Sequence, residues 1–159
     1  MIIHMRYQGD RPMKRIDDEI RYSTFVRAPP EEVYDGIAIA KGLDGWLTDG
    51  SRVDPRPGGE LFFRWKDFGA ERITDEAHCP ILEAERGKRF VFQWKPDTPH
   101  YYTTIEIDFE PVESGTIVHL REHGYQDTPS ELRAMLYCSA GWGEALTLWK
   151  YYTEHGIRY

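Results

Sequence analysis

Two cysteines in 159 residues, Cys79 and Cys138, are too few for a disulfide framework, so reduced thiols in a cytoplasm are expected. Long apolar runs are missing too. Nothing approaches the roughly 20 residues needed to span a bilayer, and the first twenty hold no apolar segment of signal-peptide length. Membrane insertion is therefore not expected. Positive charge is in short supply, with 20 Lys and Arg against 27 Asp and Glu for a net charge of −7. No basic cluster offsets it, which excludes a nucleic-acid footprint or an anionic membrane surface. Phosphate-cradling glycine loops are absent as well: Pro57-Gly58-Gly59 reads as a hairpin turn, and Gly141-Trp142-Gly143 sits inside a helical pattern. With no nucleophile elbow, nucleotide fingerprint, repeat or low-complexity tract, the residues imply no cofactor.

What is present is an aromatic-rich chain, 14% Phe, Trp and Tyr within 40% hydrophobic residues, large enough for one buried core. Residues 1–15 mix charge with Gly9 and Pro12 and read as a flexible leader, leaving 16–159 as a single domain. Ile20, Tyr22, Thr24 and Val26 alternate as a half-buried strand. Pro29-Pro30-Glu31-Glu32 then ends the strand and opens a helix, with acidic residues at its positive end. A break near Ile39 to Lys41 divides this region into two short helices before Trp46, which is assigned to packing. From Pro55 onward, hairpins dominate. Leu61, Phe63 and Trp65 share one face, with Phe62 on the other. Residues 72–83 form a weaker strand whose Pro80 suggests an edge or a bulge.

Clearer faces follow: Phe90, Phe92 and Trp94; then Tyr101, Thr103, Ile105, Ile107 and Phe109; then Val118, Leu120 and Glu122. Turns are expected at Asp97-Thr98-Pro99 and Glu113-Ser114-Gly115. The run 129–155 is the one long helical pattern. Met135, Cys138, Trp142, Ala145, Leu146 and Trp149 line one side of it, with Leu132, Leu136 and Ser139 at a margin. Gly141 and Gly143 within it suggest a bend or a close approach to the sheet. Sequential strands with segregated helices make an α+β protein.

Several of these segments, in this order and spacing, resemble the SRPBCC superfamily. They are Ala28-Pro29-Pro30-Glu31-Glu32-Val33-Tyr34, Trp46, Pro57-Gly58-Gly59, Arg89-Phe90-Val91-Phe92-Gln93-Trp94, Gly115-Thr116, Glu122-His123-Gly124 and Gly141-Trp142. Within that superfamily the chain is most similar to the branch related to the C-terminal domain of the activator of heat-shock-protein-90 ATPase, over residues 18–156. The resemblance implies a helix-grip, START-like fold: a curved antiparallel sheet of six to seven strands around the C-terminal helix, with an apolar cavity between them. Members include ligand carriers, cyclase- or hydrolase-like enzymes and cochaperone domains, so fold alone does not give the activity.

Glu122 is the one candidate for catalysis. Strand alternation puts it on the core face, where a carboxylate must be paired, hydrogen-bonded, wet or protonated. It is read either as a polar anchor or general acid/base with a raised pKa, or as a carboxylate that sits at the cavity mouth in water or is bonded to a Tyr or Trp. His119 and His123 flank it, but positions four apart on a strand are about 13 Å apart, too far for one metal, and no metal site is expected. Cys138 has no nearby base in sequence and reads as a buried thiol. Tyr22, Trp65, Trp94, Tyr101, Thr103, Glu122, Met135, Cys138 and Trp142 are the expected lining of a ligand site. The expected partner is a small hydrophobic molecule, with a protein partner as the alternative.

Overall fold

The computed structural model describes residues 14–96 and 101–159. Most of the expected leader, and the turn expected at Asp97-Thr98-Pro99, lie outside the described residues. Lys14 to Ile16 run beside the segment after the last strand: the Ile16 N–H donates to the Tyr125 carbonyl at 2.8 Å, and the Asp127 N–H to the Lys14 carbonyl at 2.8 Å.

Seven strands form one antiparallel sheet: β1 (Ile20–Val26), β2 (Arg52–Val53), β3 (Glu60–Phe68), β4 (Ile73–Glu85), β5 (Arg89–Trp94), β6 (Thr103–Val112) and β7 (Gly115–His123). Their spatial order is β1-β7-β6-β5-β4-β3-β2, so β1 crosses over to pair with the last strand. Two short helices, α1 (Pro30–Ala38) and α2 (Ala40–Leu43), follow β1, and α3 (Pro129–His155) closes the chain. This is the α+β class expected from the element pattern, in the helix-grip arrangement that the resemblance implies.

Local chemistry accounts for the element ends. Pro30 opens α1, where its missing N–H costs nothing, and Glu31 and Glu32 occupy the first turn. Ile39 is extended, with φ −123°, and separates α1 from α2 at the expected break. The Thr128 hydroxyl caps α3 by accepting from the Glu131 N–H at 3.2 Å. At its other end Gly156, at φ 66°, takes the left-handed position that ends so many helices.

The core lies between the concave face of the sheet and the helices. Ile105, Ile107, Val118 and Phe92 are fully buried, as their alternation predicts. Trp149 of α3 stacks on Trp46 at 5.4 Å and 3°, and its indole N–H donates to the Val33 carbonyl at 3.1 Å. Gly36 makes room for this ring, since a Cβ there would sit 2.3 Å from Trp149 Nε1. Edge strand β1 is shielded by α3, whose Lys150 donates to the Phe25 carbonyl while Glu154 accepts from the Arg27 N–H at 3.1 Å.

The bulge expected at Pro80 is present: β4 pairs with β3 up to Pro80 and with β5 from Ile81, with a bulge between Ile81 and Glu83, so the proline stands where β4 changes partner. Two expectations change. Phe62, read as outward, is buried, because the Arg52 guanidinium lies 3.8 Å over its ring and His78 packs at 4.7 Å. Gly141 makes no close approach to the sheet, for a Cβ there would meet open space, while one at Gly143 would be in ordinary contact with Tyr22 at 3.8 Å.

Candidate functional site

Glu122 sits on β7 between Ile20 of β1 and Ile105 of β6, and its side chain is fully buried. Three side chains from three parts of the chain donate to it. The Thr103 hydroxyl on β6 reaches Oε1 at 2.7 Å, the Tyr125 hydroxyl reaches the same oxygen at 2.8 Å, and the Trp142 indole N–H on α3 reaches Oε2 at 2.7 Å. Burial pushes the carboxyl pKa up, and the three donors, which favour the charged form, oppose that rise. Because each contact is a donation into the carboxylate, the group works first as a tie between sheet and helix. Proton transfer to a substrate would require one donor to give way.

Tyr125 is the residue that sequence reasoning missed. It is fully buried, and its hydroxyl also bonds the Cys138 thiol, so Cys138, Tyr125 and Glu122 form a chain. Burial, with the Glu122 charge, raises the Tyr125 pKa and keeps the phenol protonated. The available signal was Gly124, whose φ of 101° turns the chain back after β7 and places Tyr125 beneath Glu122.

The aromatic wall is assembled next to this cluster. Phe63 stacks on Trp65 at 5.2 Å, and Trp94 meets Trp65 edge-on at 5.8 Å and Phe63 at 5.8 Å. Trp65, Trp94, Met135, Cys138 and Trp142 are all partly buried against the core. Thr103 is fully buried, as the strand face requires. Tyr22 is on the concave face opposite Leu120, yet it is 40% exposed because β1 is an edge strand. It belongs to the rim beside Gly143. Tyr101 is buried but points elsewhere, donating to the buried Glu131 carboxylate in the first turn of α3. Burial first and Glu131 second raise its pKa, and the Arg15 guanidinium lies 5.0 Å from its ring.

The flanking groups take bland roles. His119 is held by Ser23 at 2.9 Å and Glu110 at 2.7 Å, while Arg121 bonds Glu106 on the convex face. Burial, with Glu60 adding, pushes the Cys79 thiol up to about 12, which makes it unreactive. Two clefts open away from the sheet–helix space. One of about 450 Å³ lies between α1, α2 and the end of α3, lined by Asp35, Ile39, Lys41, Tyr152 and Thr153. The other, about 390 Å³, lies by Arg21, Arg89, Glu106 and Arg121. Among the described residues no helix is long and apolar enough to cross a membrane.

A sheet gripping one long helix, with a buried polar tie and an aromatic wall under that helix, defines a helix-grip protein. More narrowly, the chain belongs to the family described as Activator of Hsp90 ATPase homolog 1-like protein, whose model matches residues 27–154. Solved structures repeat the fold. A Staphylococcus saprophyticus protein is similar at 23% identity and TM-score 0.73, covering 89% of this chain and 96% of that one. A Chromobacterium violaceum protein matches at 24% and 0.70, covering 86% and 98%. The Aha1 dimer from Colwellia psychrerythraea, solved in solution, matches at 22% and 0.70, covering 87% and 98%. No curated protein sequence matches.

Proposed function

We propose that this protein binds a small apolar or aromatic molecule between the sheet and the N-terminal half of α3, as a cytoplasmic carrier or sensor. Trp65, Trp94, Met135, Cys138 and Trp142 form the wall and the Glu122 cluster the polar end. The observation that carries the reading is the position of Glu122: a fully buried carboxyl with three redirectable donors, beside aromatic side chains that are only partly buried. Apolar walls with a few convergent polar groups are what such ligands require. Burial keeps the neutral form of the carboxyl accessible, so a polar tip on the ligand meets a group that can donate or accept.

Tryptophan fluorescence during titration with an anilinonaphthalene fluorophore, alongside mass spectrometry of molecules retained by the purified protein, tests this. Trp94→Ala should weaken binding about tenfold or more, the loss of ~1.4 kcal/mol or more that a buried aromatic contact represents. Ile39→Ser, in the cleft beside α1, should leave it unchanged. A protein that retains nothing and shows no tryptophan response, or that responds equally to both substitutions, overturns the reading.

A further inference from the structure

Charge is divided between the two faces of the sheet. On the convex face cations and anions are paired, Arg89 with Glu83, Glu106 and Asp108, and Arg121 with Glu106. Under α3 the acids stand without cations. Glu122 and Glu131 are both buried there, and among the described residues neither enters an ion pair. The Arg15 guanidinium lies over the Tyr101 ring and donates to the Gly124 carbonyl instead. His123, the next residue after Glu122, faces the other way, its Nε2 3.8 Å from Glu106 Oε2. Glu131 has the positive end of α3 and the Tyr101 hydroxyl to stabilise it, but Glu122 has neutral donors only. A buried carboxylate with no counter-charge is the costly case.

Glu122 can also accept more than it does. Oε1 takes the Thr103 and Tyr125 hydroxyls, whereas Oε2 takes only the Trp142 indole N–H. A carboxylate oxygen has room for two donors, so Oε2, the oxygen turned toward α3, can take a second beside the Trp142 ring. Indole faces are the strongest aromatic partners of a cation. Trp142 and Trp94, the cross-strand partner of Thr103, are both only partly buried. The sulfur atoms of Met135 and Cys138 continue a lining that holds no basic side chain. An inorganic ion does not suit it, for among the described residues no three His, Cys, Asp or Glu side chains stand together as metal ligands.

Given the binding site proposed above, we infer that its ligand is an organic cation: a protonated amine on an aromatic or alkyl body, its N–H donating to Glu122 Oε2 and its charge lying against the Trp142 indole. The three neutral donors supply the additional hydrogen bonds that a buried ion pair needs. Burial pushes the Glu122 pKa up in the free protein, and a bound ammonium draws it back by favouring the ionised carboxylate. Oε2 is reached when the N-terminal half of α3 shifts outward, and that half is attached mainly by hydrogen bonds. The net charge of −7 adds a long-range attraction for such a ligand.

Cinnamylamine, cinnamyl alcohol and cinnamate share one body and differ in charge, and their displacement of the neutral anilinonaphthalene fluorophore tests the inference. The amine should act at a concentration about tenfold or more below that of the alcohol, with cinnamate the weakest. In Glu122→Gln, its fold checked by far-ultraviolet spectrum and melting curve, the amine should lose its lead over the alcohol. In the wild type that lead should persist in about 0.5 M sodium chloride, which screens surface charges far more than a buried pair. An alcohol that competes as well as the amine overturns the inference and leaves the binding site standing. So does a lead that survives Glu122→Gln or vanishes in salt. A wild type that never takes up the fluorophore removes the binding site and this inference with it.

Discussion

The two halves of α3 are held to the same sheet by different physics. From Ala145 onward the helix is packed: Ala145, Leu146 and Trp149 are buried, Trp149 is stacked on Trp46, and Lys150 and Glu154 bond the backbone around edge strand β1. Before Gly143 the apolar contacts thin out, Met135, Cys138 and Trp142 are only partly buried, and the firm attachments are hydrogen bonds from Trp142 to Glu122 and from Tyr101 to Glu131. Packing is lost only by opening a cavity, whereas a hydrogen bond can be exchanged for one to a ligand or water at small net cost. The contrast teaches that the C-terminal half secures the fold by packing, while the N-terminal half is held mainly by exchangeable hydrogen bonds.

Trp149→Ala should strike hardest. It removes a stacked ring and its bond to Val33, and a loss of about 3–5 kcal/mol is expected in urea unfolding. A loss below about 1 kcal/mol would mean that the C-terminal half is no better packed than the other.

Glu122→Leu should come next, at about 2–4 kcal/mol, because the Thr103, Tyr125 and Trp142 donors lose their acceptor. Its effect should be regional. Amide hydrogen exchange should accelerate through residues 131–142 and stay slow from 145 to 155; uniform acceleration would erase the distinction between the halves.

Glu122→Gln should be mildest, within about 1 kcal/mol, since the amide oxygen can accept from Trp142 while its NH₂ donates to the two hydroxyls, which rotate to accept. It also isolates the charge. The folded-state pKa of Glu122 is raised above 4.5, so the carboxyl's contribution to stability is complete below that value and is lost as pH rises through the raised one. Thermal melts of the two proteins should therefore favour Gln increasingly from about pH 4.5 toward neutrality. A constant difference across that range would show that the folded carboxyl titrates like an exposed one.

Much of this was readable in the residues. The alternation of Ile105, Ile107 and Phe109 with charged neighbours fixed the concave face, and it carried Glu122 inward because period-two geometry leaves a strand residue no other place. The helical stripe from Met135 to Trp149 was equally legible. Phe62 was not, because its cover comes from Arg52 on a strand two residues long, below the length at which any pattern registers. Pro80 was read as an edge or a bulge, and the bulge is there; the change of partner beside it was not legible, because no local pattern says that a strand switches partners partway along.

The sequence by itself determined the element order, the inward faces, the absence of a membrane-spanning run and the family resemblance, since each follows from local periodicity and turn chemistry. Only the tertiary structure decided which donors meet Glu122. Thr103 comes from the neighbouring strand and Trp142 from α3, and contacts between such separate parts depend on packing that no local pattern encodes. The unequal grip on the two halves of α3 was decided there as well. The same apolar stripe runs along the whole helix, and how deeply each part is buried depends on what the sheet places beneath it.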